Sequence, residues 1–173
     1  RLLFKSFKWS KIYSMNVKIL CVGKIKEKFY RDAISEYFKR LSKYCLIEII
    51  EVADEKTAEN CSDNEIKLIK DKEGERLLKH IKDRDYVIAL AILGKQQDSV
   101  GFANYLESLS VMGNSSFVFV IGGSLGLSDM VLSRSNYEIS FSKMTFPHQL
   151  MRVILLEQIY RAMRIINNEP YHK

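Results

Sequence analysis

The sequence predicts an α/β fold, a single domain whose mostly parallel sheet is flanked by helices, on three observations. Short β-rich apolar runs alternate with helical patterns along the chain. No repeat, low-complexity tract or Pro/Gly-rich linker divides it. Its 173 residues are enough to bury one core without disulfides or metal.

Val17–Val22 reads as a buried strand. Glu27–Tyr44 follows as an amphipathic helix with Phe29, Ile34, Tyr37, Phe38 and Leu41 near helical spacing. Leu46–Val52 alternates as a half-buried strand does, and the charged stretch Ala53–Cys61 is a loop. Ser62-Asp63-Asn64-Glu65 is a capping-box signature, opening a helix to about Ile81. Asp85–Ile92 reads as a strand that Gly94-Lys95 interrupts, and Asp98–Met112 as a helix closed by Gly113-Asn114. Ser116–Ile121 (SFVFVI) is a central strand by composition, followed by the glycine loop Gly122–Gly126 and a short helix, Ser128–Arg134. Tyr137–Phe141 is the last strand. The loop after it leads into a long helix whose first helical position is assigned to Pro147, where a missing N–H has no cost. That helix is apolar on nearly every side, so it needs cover from its own domain, a second subunit or both.

Bulk properties narrow the function classes. No apolar run approaches membrane-spanning length and no signal-peptide pattern is present. Cys21, Cys45 and Cys61 are scattered without CxxC spacing, which suits reduced thiols in the cytoplasm. The formal charge of +6 is concentrated at the start, where Arg1, Lys5, Lys8 and Lys11 have no acidic counterpart before Ser14. Met15 stands directly before the first strand. Residues 1–14 therefore read as an upstream or non-native extension and 15–173 as the domain, with 23 basic against 21 acidic residues. Arg134–Lys173 holds six Lys/Arg and three acids, so an anionic partner is expected at that end.

The motifs are individually modest. Gly122-Gly123-Ser124-Leu125-Gly126 follows a strand and precedes a helix, which suits a nucleotide or an ordinary glycine turn equally. It is not GxGxxG, and no GxxxxGK[ST] occurs, so dinucleotide-fold and P-loop chemistry are disfavoured. Histidines without HxxxH or HExxH spacing favour no metal site, and serines outside GxSxG favour no hydrolase triad. Ligands on parallel sheets gather at the carboxyl ends of strands, which selects the loops after Leu90, Ile121 and Phe141. The last of these lies at a helix N-terminus among apolar walls, a place for a small polar ligand. Arg152, Arg161 and Arg164 interrupt the greasy helix; each needs an ion-pair partner such as Glu157, or reaches a phosphate. The terminal Tyr171, His172 and Lys173 could stack on a base, move a proton and meet a phosphate.

Taken together, NVKILCVGKIKEKFY (Asn16–Tyr30), VIGGSLG (Val120–Gly126), SFSKMTFPHQLMRVILLEQIYRA (Ser140–Ala162) and the terminal PYHK closely resemble the ribosomal RNA large subunit methyltransferase H family. That family belongs to the SPOUT class of S-adenosyl-L-methionine-dependent RNA methyltransferases. The resemblance runs from Met15 to Lys173. It implies a homodimer with a C-terminal trefoil knot, which sequence logic alone disfavours because true knots are nearly absent from proteins. It also implies an S-adenosylmethionine site lined by Leu90, Gly122, Phe141, Ser142, Lys143, Met144, Thr145 and Phe146, on the three loops already selected. The implied reaction is methyl transfer to N3 of a pseudouridine in the helix 69 loop of 23S rRNA, in assembled ribosomes, without metal or membrane. Arg161, Tyr171, His172 and Lys173 match positions associated with substrate binding or catalysis. His172 is the candidate base or proton relay, with Arg161 stabilising the deprotonated ring. Lysine at 173, where some relatives carry arginine, keeps the charge and loses the bidentate fork. A non-catalytic RNA-binding module of the same fold and a transfer-RNA methyltransferase are the competing readings.

Overall fold

A computed structural model describes residues 15–172; the proposed extension 1–14 and Lys173 lie outside the described residues. The elements are β1 (Asn16–Val22), α1 (Lys28–Leu41), β2 (Leu46–Val52), α2 (Asp63–Leu78), β3 (Tyr86–Gln96), α3 (Ser99–Val111), β4 (Ser116–Ile121), α4 (Asp129–Arg134), β5 (Tyr137–Ser140) and α5 (His148–Ile166). Five strands form one sheet in the order β2-β1-β4-β3-β5, and every pairing is parallel.

Alternation along the inner strands builds two cores. Ile19, Cys21, Phe117 and Phe119 point to one face and pack with Leu41 of α1, Phe102 of α3 and Leu155, Leu156 and Ile159 of α5. Leu20, Val22, Val118 and Val120 point to the other and pack with Leu77 of α2 and Val131 of α4. SFVFVI is therefore continuous in its hydrophobicity because both faces of β4 are covered. The capping box at Ser62 is formed: its hydroxyl accepts the Glu65 N–H while the Glu65 carboxylate accepts the Ser62 N–H at 2.8 Å.

Two sequence expectations are corrected. Pro147 is not in the first helical turn. Its ψ of 133° is extended, and it stands as the N-cap, its carbonyl accepting the Met151 N–H at 3.0 Å. Nor does β3 stop at Ile92; it runs without a break to Gln96. Both Leu90 and Lys95 are matched with the same residue of β5, Ile139. The register of β3 along β5 therefore shifts between Leu90 and Lys95, and residues 91–94 form an irregularity in the pairing. Leu93, within that irregularity, is 96% exposed. Gly94 lies so close to β5 that a Cβ there would come within 2.7 Å of the Ile139 carbonyl carbon.

Candidate active site

The first group of candidate residues collects at the carboxyl ends of β3, β4 and β5. Leu90 ends the first stretch of β3 beside Ile139, two residues before Phe141. Gly122 leaves β4 into a loop that folds back on itself: Gly126, at φ +83°, donates its N–H to the Gly123 carbonyl at 3.1 Å. A Cβ on Gly122 would lie 2.6 Å from the Gly126 carbonyl carbon, so this fold of the loop requires glycine there. Phe141 packs edge-on against Phe102 and anchors the start of the third loop. Within that loop Ser142 accepts a hydrogen bond from the Ser140 hydroxyl through its carbonyl, and from the Met144 N–H through its own hydroxyl. No other hydrogen bond is made by the backbone of residues 142–146 among the described residues. Lys143, Met144 and Thr145 are exposed. Uncommitted N–H and C=O groups beside Leu90 and Phe141 suit a ligand with a flat polar edge and apolar faces. The residues present fit the adenosyl group of S-adenosylmethionine.

At the mouth of α5, His148 lies with Asp54 beside Gly23. Burial, and then the Arg152 charge, hold its pKa below the usual imidazole value. Arg152 itself is 1% exposed. It donates to Glu51 at 2.7 Å, to the Val22 carbonyl at 2.8 Å and to the Gly23 carbonyl at 2.7 Å. The phosphate-binding reading of Arg152 is thereby overturned: the carboxyl end of β1 absorbs its guanidinium. A groove of about 580 Å³ opens beside it, lined among others by Lys24, Arg31, Phe38 and Glu51, and by none of the residues expected at the cofactor.

The second group is assembled at the far end of α5. After α5 the chain turns through Asn168, at φ +55°, and the tail folds back against the helix. Arg164 binds the Pro170 carbonyl at 3.0 Å and Glu169 at 2.7 Å. Arg161 donates to Glu157 Oε1 through Nη2 at 2.6 Å and Nε at 3.1 Å. Tyr171 donates its hydroxyl to the same oxygen at 3.2 Å, and its ring lies under the Arg161 guanidinium at 4.7 Å. Arg161 Nη1 stands 3.3 Å from His172 Nδ1. Burial, followed by the Glu157 charge, raises the Tyr171 phenol, so it serves as a hydrogen-bond donor. The organiser of this cluster is Glu157, whose other oxygen accepts from Gln158 at 2.7 Å. Sequence reasoning treated Glu157 only as an ion-pair partner. The i,i+4 spacing to Arg161 announced that pair, but no local pattern announces the return of Tyr171 to the same carboxylate.

Within one chain the two groups stand apart. Arg161 lies thirteen residues along α5 from His148, about 20 Å along the axis. None of the hydrogen bonds of Arg161, Tyr171 or His172 reaches Leu90, Gly122 or residues 141–146.

Comparison with known proteins places this arrangement. Residues 15–172 match the family described as "Predicted SPOUT methyltransferase". Over 159 residues, 92% of this chain and 100% of the relative, the chain is 63% identical to ribosomal RNA large subunit methyltransferase H of Clostridium botulinum (strain Kyoto / Type A2). The protein of the same name from Clostridium acetobutylicum is 59% identical over the same shares. Among solved structures, a "probable methylase family protein" from Haemophilus influenzae shares the fold at a TM-score of 0.50 and 13% identity, covering 93% of this chain and 71% of its own. With the fold, the strand-end loops and this identity in agreement, the chain belongs to the SPOUT methyltransferases, within the ribosomal RNA large subunit methyltransferase H family.

Proposed function

We propose that this chain methylates N3 of a pseudouridine in the helix 69 loop of 23S rRNA, using S-adenosylmethionine, on assembled ribosomes in the cytoplasm, as a homodimer. The observation that carries the reading is the third strand-end loop, whose backbone, apart from the Ser142 carbonyl and the Met144 N–H, has no hydrogen-bond partner among the described residues, in a chain of a methyltransferase family. S-adenosylmethionine bound there supplies an electrophilic methyl group. Leu90, Gly122 and Phe141–Phe146 hold and orient that group; positioning of this kind contributes about 7–11 kcal/mol to barrier lowering. Arg161 faces the negative charge that develops on the base as its N3 proton leaves. His172 receives that proton, a contribution of roughly a hundred- to ten-thousand-fold. Lys173 meets a neighbouring phosphate.

The separation of the two groups supports the dimer. Leu150, Val153 and Ile154 remain only half-buried on α5 and share a helix face with Glu157 and Arg161. A second copy covering that stripe would stand beside the Arg161 cluster, so that each active site draws its cofactor loops from one protomer and its substrate residues from the other.

The test is methyl transfer from radiolabelled S-adenosylmethionine to ribosomes, free large subunits and transfer RNA. Label is expected in the large-subunit RNA of ribosomes. Label confined to transfer RNA, or cofactor binding without transfer to any RNA, would replace the reading by one of its competitors. Sedimentation analysis checks the dimer.

A further inference from the structure

Glu73, in the third turn of α2, is 5% exposed and has no assigned role. One oxygen, Oε1, accepts the Glu55 N–H at 2.9 Å and so ties down the loop after β2. The other, Oε2, has no hydrogen-bond partner among the described residues and lies against the glycine loop. A Cβ on Gly123 would come within 3.2 Å of it and within 3.1 Å of Val22 Cγ1. The next residue, Gly74, is pressed onto the far end of the same loop, where a Cβ would collide with Ser128 Oγ at 2.2 Å. The Glu73-Gly74 step is therefore seated against both ends of the 123–128 segment, immediately after the candidate cofactor residue Gly122.

The charges around it do not balance. Asp54 and Glu55 come from the loop after β2, and Lys72 and Arg76 from Glu73's own helix. Arg76 is committed to Glu55 and to the Ala53 carbonyl, and Lys72 approaches Glu55 at 4.0 Å. His148, entering from α5, shares the surroundings of Gly23 with Asp54. Three carboxylates thus face two cations, and Glu73, though almost covered, keeps one oxygen without a protein hydrogen bond and at the edge of solvent. A nearly buried carboxylate is costly unless water, a donor or a cation compensates it.

We propose that Glu73 is a positioning and specificity residue of the cofactor site: it holds the glycine loop against α2 and sets a negative field there that favours the sulfonium cofactor over its neutral thioether product. This rests on the S-adenosylmethionine reading above. S-adenosylmethionine and S-adenosylhomocysteine share their adenosine, ammonium and carboxylate and differ in the methyl group and the sulfonium charge, so the ratio of their affinities isolates the effect. Burial, reinforced by the Asp54 and Glu55 charges and opposed by the Glu55 N–H and Arg76, raises the Glu73 pKa above the usual carboxylate value.

Calorimetry with each ligand on the full chain, wild type and Glu73→Gln, tests the proposal. Glutamine keeps an oxygen for the Glu55 N–H and removes the charge. Glu73→Gln is expected to weaken S-adenosylmethionine roughly three- to tenfold while changing S-adenosylhomocysteine less than twofold. In the wild type the preference for S-adenosylmethionine should shrink as pH falls and Glu73 takes up a proton; this measurement stands even if the variant folds poorly. An unchanged affinity ratio in the variant, or a wild-type ratio independent of pH, would overturn the inference alone. Wild-type protein that binds neither ligand would overturn the cofactor reading and the inference together.

Discussion

Arg152 and Arg161 sit nine residues apart on one helix, and the molecule treats them in opposite ways. At the entrance of α5, Arg152 is sealed in and spends its guanidinium on two β1-end carbonyls and Glu51. At the exit, the Arg161 side chain is 25% exposed, shares one carboxylate with Tyr171, and keeps an edge toward His172. The first closes backbone groups that the sheet's end leaves open; the second gathers polar groups at a surface. The comparison teaches that the role of an arginine on a greasy helix follows from what its guanidinium is left free to do.

The largest effect on that contrast is expected at the entrance. Arg152→Ala strands Glu51 and the Val22 and Gly23 carbonyls, and should lower stability by about 3–5 kcal/mol, read as the shift in a urea denaturation curve. A loss below 1 kcal/mol would show that solvent replaces the guanidinium and would erase the distinction. Arg161→Ala should leave the urea midpoint nearly in place and reduce single-turnover methyl transfer about a hundredfold, the scale of removing one charge-stabilising donor. Arg161→Lys should recover part of that loss, since the charge survives and the fork does not. Smaller still is Glu157→Gln, which frees Arg161 and Tyr171 without removing either. We expect a rise of about fivefold in KM for ribosomes and less than about 1 kcal/mol in stability, as for a partly exposed pair. An unaffected KM would mean that Arg161 and Tyr171 do not need Glu157 to hold their places.

The elements that the chain announced most clearly are those with a local cause. Leu46–Val52 and Ser116–Ile121 have the expected bounds because their alternation or continuous burial is written into consecutive residues. Ser62 and Glu65 form their reciprocal cap within four residues. The second stretch of β3 was missed for the opposite reason. Gly94-Lys95 looks like a chain break until β5, more than forty residues later, is laid alongside it. Likewise Pro147 satisfies the rule for a first helical position, yet the loop before it enters at an angle that leaves its ψ extended. At the candidate site, the glycines and the Ser142–Phe146 loop were legible as motifs. The joining of Tyr171 to Glu157, the burial of Arg152 and the approach of Glu73 to Gly123 were not.

The sequence by itself determined the alternating α/β order, the parallel sheet and the family, because periodicity, caps and long co-linear motifs are properties of neighbouring residues. Only the tertiary structure decided which arginine is sealed and which is offered, and that β3 continues past Ile92 along β5. It also decided that the candidate cofactor loop before α5 and the candidate substrate cluster around Arg161 occupy opposite ends of one helix. Those outcomes depend on groups 14 to 130 residues apart competing for the same carboxylates and carbonyls, and that competition is settled only when the chain has folded.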